Sequence, residues 1–123
     1  MGYRSDVALI LDKESVIKLH AAIADSSLNE ETRKEVNDLF AHPSRHLHDP
    51  EGGSELWYWD SVKWYSDYPD VSFIENFISE NCDLDNYRFM RVGEEWDDIE
   101  VEGCLFDDPF DLYVERRIKF EDS

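Results

Sequence analysis

Residues 6–11, DVALIL, carry a continuous apolar run with β-branched members between Asp6 and Asp12, the pattern of a strand buried on both faces. Asp12 stands where a helix N-cap belongs, and behind it Val16, Leu19, His20 and Ile23 recur at helical spacing, which predicts a helix over 13–25. In SLNEETRKEVNDLFAHP, residues 27–43, Ser27 and Glu30 have the spacing of a capping box. Thr32, Val36, Leu39 and Phe40 fall on one stripe, and Pro43 ends the run. This is a second helix. PSRHLHDPEGGS, residues 43–54, holds two Pro and two Gly and reads as an exposed irregular loop.

ELWYWDSVKWYS, residues 55–66, is dense in aromatic residues on both alternating faces. It predicts a central strand or a tight hairpin turning near Asp60 and Ser61. Residues 70–81 place Val71, Ile74 and Ile78 along one helical line with Phe73 and Phe77 beside it, and Pro69 suits a first turn, so a third helix is expected there. YRFMRVGEE, DIEVEGC and DLYVERRIKF then alternate as three further strands. The order is strand, two helices, strand or hairpin, helix and meander. It is accommodated most simply by one α+β domain over residues 1–123. An antiparallel sheet of four to five strands would carry two or three helices on one face, in the manner of a ferredoxin-like sandwich.

Charge changes this picture more than length does. Twelve Lys and Arg face 30 Asp and Glu, a net charge of −18, while aromatic residues make up 14% of the 123 positions. So many aromatics mark a folding chain rather than an acidic disordered tail. The negative field repels phosphate backbones and anionic lipid and attracts a basic partner, so neither direct nucleic-acid binding nor membrane binding is expected. The N-terminal stretch lacks the basic flank and long apolar core of a signal peptide, and no segment approaches the roughly 20 apolar residues of a membrane span. A cytoplasmic location is expected, with Cys82 and Cys104 remaining free thiols.

The acidic skew concentrates in residues 91–111, where nine carboxylates accompany the single base Arg91. In a strand through 98–102, Asp98, Glu100 and Glu102 share one face, repeating at roughly 6–7 Å, close to the phosphate spacing along one DNA strand. Glu94, Glu95 and Asp97 precede this row, and Asp107 and Asp108 extend it. Such a surface imitates a nucleic-acid backbone. The alternative is a solubilising surface, neutralised in part by Arg88, Arg91, Arg116, Arg117 and Lys119 on neighbouring strands.

Other chemistry is thinner. His42, His46, His48 and Asp49 offer metal ligands, but at no regular helical spacing, and a solvated loop is the commoner fate of such a cluster. No Gly-rich phosphate loop and no nucleophile elbow is present, so no catalytic residues are assigned and no cofactor is expected. Of the aromatic residues at 57–68, those on one strand face belong to a core. Trp57 and Trp59 are left for a partner or an overlying helix.

The stretches MGYRSDV, VKWYSDYPDVSFIENFI and YRFMRVGEEWDDIE resemble a group of small acidic proteins encoded by bacteriophages. The resemblance implies an accessory protein acting in the host cytoplasm and brings no catalytic residues with it. Small acidic phage proteins include DNA mimics and inhibitors of host defence enzymes. The function expected is therefore inhibition of a host nucleic-acid-binding or defence protein by occupation of its basic surface. A metal-dependent hydrolase or nucleotide-processing enzyme and a virion structural or assembly protein are the alternatives. On the first reading, charge reversal of Asp98, Glu100 and Glu102 should weaken binding without disturbing the fold.

Overall fold

The computed structural model describes residues 2–105, 108–110 and 112–113. In chain order it contains β1 (Ser5–Leu11), α1 (Lys13–Ala24), α2 (Glu30–Ala41), β2 (Arg45–His48), β3 (Glu55–Val62), α3 (Pro69–Asn81), a 3-10 turn (Leu84–Asn86), β4 (Tyr87–Val92) and β5 (Ile99–Glu102). All strand pairs are antiparallel, and the sheet order is β2-β3-β1-β4-β5. The first four strands in that order make a ferredoxin-like sheet. The helix pair α1–α2 stands in place of the first crossover helix, and β5 is added at the β4 edge.

The unbroken apolar run of β1 is explained by its central place. Val7, Leu9 and Leu11 join Trp57, Trp59, Tyr87 and Phe89 on the face covered by Val16 and Leu19 of α1 and Ile74 and Phe77 of α3. On the opposite face Ile10 packs with Leu56 and Leu105, and Tyr58, Phe110 and Leu112 lean on them. All three helices lie on the first face, since Leu39 and Phe40 of α2 also pack against that cluster. Trp57 and Trp59 therefore meet overlying helices, at 3% and 2% exposure, and present nothing to a partner. Phe40 meets both indoles edge-on at 5.1 and 5.5 Å, and the Trp59 Nε1–H donates to the Leu39 carbonyl at 2.8 Å.

Asp12 caps α1 as its position predicts, accepting from the Ser15 N–H at 2.9 Å. Its other oxygen accepts from Asn86 Nδ2 at 2.8 Å, which ties the start of α1 to the turn before β4. The cap of α2 is Asn29 rather than Ser27: its side chain accepts from the Glu31 and Thr32 N–H groups. Ser27 is engaged with Asp25 one turn earlier. Pro69 takes the first turn of α3 as expected.

One further expectation is corrected. The Pro- and Gly-containing loop 43–54 holds β2, whose four residues are all exposed and are fixed by pairing with β3. Of the two alternatives for residues 55–66 the strand inside the sheet forms, over Glu55–Val62, and the hairpin does not. The place where a turn was expected carries a bulge, with Ser61 at φ 57° and its N–H donating to the Asp6 carboxylate at 3.0 Å. The strand expected over 111–120 lies outside the described residues except for Leu112 and Tyr113, which are in no strand.

Candidate functional site

Residues opposite each other in an antiparallel pair point to the same face. Glu102 stands opposite Phe89 and Glu100 opposite Arg91, so both glutamates lie on the helix side of the sheet; Asp98, two residues before Glu100, joins them. Ile99 and Val101 point the other way, 38% and 51% exposed. The row expected from the sequence thus forms, with a location that the sequence did not indicate. It lines a groove of about 640 Å³ together with residues of α3 and of the connection before it. The aromatic part of the lining is Trp64, Tyr65, Tyr87 and Phe89. Asp67 and Glu75 add carboxylates that strand periodicity could not have singled out.

One end of the row carries its own cation. Arg91, with a side chain 13% exposed, forks onto Asp98 through Nη2 and Nη1 at 2.6 and 3.1 Å. Its Nε donates to Glu100 at 2.7 Å and its Nη1 to Ser5 Oγ at 3.0 Å. The hydrogen bond from Asp98, reinforced by Glu100, raises the Arg91 pKa above its ordinary value against the opposing effect of burial. Tyr3 donates its hydroxyl to Asp98 at 2.6 Å, and that bond pushes the phenol pKa up. The same hydroxyl accepts from the Glu95 N–H, and the Tyr3 N–H donates to the Tyr65 hydroxyl. The segment before β1 is thereby fastened to the acidic turn and to the groove.

The remaining residues of the expected site separate. Glu102 makes no ion pair or side-chain hydrogen bond among the described residues. It lies close enough to raise the Tyr87 phenol, a smaller effect there than burial. Glu94, Glu95 and Asp97 are exposed in the turn between β4 and β5, and Glu94 accepts the Arg4 N–H at 2.7 Å. Asp108 accepts the N–H groups of Phe110 and Leu112, closing a turn in the segment that packs on the opposite face, so it does not prolong the row. Asp107 lies outside the described residues, as do Arg116, Arg117 and Lys119. Arg88, a candidate neutraliser, stands opposite Ile10 and shares the far face.

The histidine cluster is dispersed over different tasks. His42 ends α2 with Nδ1 3.0 Å from the Asp38 carbonyl. His46 meets Glu55 at 2.6 Å and stacks on Trp57. Asp49 accepts the N–H groups of Glu51 and Gly52 in the turn between β2 and β3. His48 pairs across to Glu55 in the strand register. Among the described residues no group of three or more His, Cys, Asp and Glu is arranged to hold a metal ion. Cys82 and Cys104 are free thiols. No described helix is long and apolar enough to cross a membrane.

The fold and groove define a ferredoxin-like α+β protein with an acidic, aromatic-lined edge. Neither a family model, nor a curated protein, nor a solved structure matches the chain.

Proposed function

We propose that this is a non-enzymatic accessory protein that binds a basic surface of a nucleic-acid-binding protein and so inhibits it, in the manner of a DNA mimic encoded by a phage against its host's defences. The observation that carries the reading is the exposed acidic turn of Glu94, Glu95 and Asp97 leading into an edge strand that ends on the exposed Glu102, in a chain of net charge −18. Charges of one sign gathered at an edge steer a partner of the opposite sign and suppress wrong ones. The Arg91 bridge reduces the charge of the row at one end and leaves the acidic turn and Glu102 facing solvent.

The test starts from basic proteins of a bacterial lysate retained on heparin and captured on the immobilised protein. Each captured protein is loaded with labelled duplex DNA, and the acidic protein is titrated in. The reading expects stoichiometric release of the DNA, weakening steeply with added salt. Capture without release would refute it.

A further inference from the structure

Arg91 displays what the carboxylates of this groove do with a guanidinium. It forks onto both oxygens of Asp98 and reaches Glu100 with a third nitrogen contact. Two residues along the same side of β5, Glu102 has the same orientation without a cation, and Asp67 and Glu75 of the same groove are likewise unpaired among the described residues. The same groove is lined by Trp64, Tyr65, Tyr87 and Phe89, the rings of Trp64 and Phe89 being centred 6.0 Å apart. A guanidinium is planar and weakly hydrated, so it gains from ring faces and from a carboxylate fork together. A lysine ammonium is a compact, strongly hydrated charge and gains less from either. The volume of about 640 Å³ is that of a ligand-binding pocket, which spans roughly 300–1,000 Å³.

We infer that the groove between α3 and β5 receives an arginine side chain presented by the basic partner, its guanidinium on Glu102 and Glu75 and its plane against the half-buried Trp64. This rests on the reading of the protein as a binder of a basic partner, and it names the contact that gives that binding chemical selectivity. The arginine received is of the kind that would otherwise fork onto a phosphate, since guanidinium matches carboxylate and phosphate with the same geometry.

The experiment uses the full chain and two nine-residue peptides of equal charge, one alternating Gly with Arg and one alternating Gly with Lys. Calorimetry should give an affinity for the arginine peptide about tenfold above that for the lysine peptide. Glu75→Gln with Glu102→Gln should abolish that preference and weaken arginine-peptide binding about tenfold. Both side chains are exposed and unpaired, so the fold is expected to survive. Glu31→Gln with Glu51→Gln removes the same charge at exposed positions outside both the groove and the acidic edge and should change affinity less than about twofold. In NMR spectra the Trp64 indole signal should move on binding. Movement of the exposed Trp96 alone, equal affinity for the two peptides, or equal losses in the two double variants would each overturn the groove assignment. Those results would leave DNA release intact if the acidic edge works as a diffuse surface. Groove-dependent peptide binding without DNA release would instead overturn the reading of the partner as a nucleic-acid-binding protein.

Discussion

Arg91 holds the acidic hairpin to the rest of the sheet. Its guanidinium bridges Asp98 and Glu100 of one strand region to Ser5 of another, and its side chain is largely withdrawn from water. Arg91→Met keeps much of the volume and removes the charge, leaving the Asp98 and Glu100 carboxylates without their shared cation. Urea denaturation should show a loss of about 2–3 kcal/mol, the scale of a charged hydrogen-bonded group taken from a partly buried site. For the same reason reversal of Asp98 and Glu100 is a test of folding as much as of binding. Reversal of Asp97 and Glu102, both exposed, is the cleaner probe of the partner surface. Asp60 is a second residue with a definite sign. Its hydrogen bond with Asp6, and then the charge of Asp6, raise its pKa above the ordinary aspartate value of 3.8. A carboxyl whose pKa is higher in the folded protein contributes stability that is fully present below its unfolded pKa and is lost as pH rises through the folded value. Thermal denaturation across the acid range should show this contribution disappearing as pH climbs above about 4, the usual aspartate titration range. Asp60→Asn should remove that dependence and be the more stable form at pH 7. A variant with the wild-type pH profile would show that the pair does not interact in solution.

At the scale of elements, the helices are held by caps of unequal reach. Asn29 satisfies two N–H groups of its own helix, whereas Asp12 caps α1 and also accepts from Asn86 beside β4. Asn29→Ala is expected to cost about 1 kcal/mol, a typical cap. Asp12→Ala should cost more, as a second hydrogen bond worth about 1 kcal/mol goes with it; chemical denaturation of the two variants gives the order directly. The same elements show what a single sequence makes legible. The β1 run, the α1 cap, Pro69 and the stripe of α3 rest on local chemistry and could be read in full. β2 could not be, because Arg45, His46, Leu47 and His48 are all exposed, and only hydrogen bonds to β3, some ten residues on, make them a strand. The capping residue of α2 was missed by two positions because Asn29 and Ser27 are both good caps, and Asp25 had already engaged Ser27. For β5 the period of two gave the common face of Glu100 and Glu102, but not which face. That depends on the register with β4 and on where α3 ends its cover, so Asp67 and Glu75 stayed invisible as members of one groove.

For the whole molecule the dominant fact is self-repulsion. A net charge of −18 on 123 residues opposes compaction, and Arg91 relieves only part of it at the acidic edge. Added NaCl should therefore raise the melting temperature, as screening shortens the reach of the field to about 8 Å at physiological ionic strength. A melting temperature independent of salt would mean that the chain neutralises its own field. Binding has the opposite dependence, since salt weakens the attraction of a basic partner while it stabilises the free protein. The most direct test of the central claim is the anisotropy of labelled DNA on a captured basic protein while the acidic protein is titrated in. The account predicts release that fades between about 50 and about 200 mM salt, and an Asp97→Lys, Glu102→Lys variant that requires about tenfold more protein. DNA that stays bound at saturation, or a variant that releases it as readily as the native chain, would contradict it.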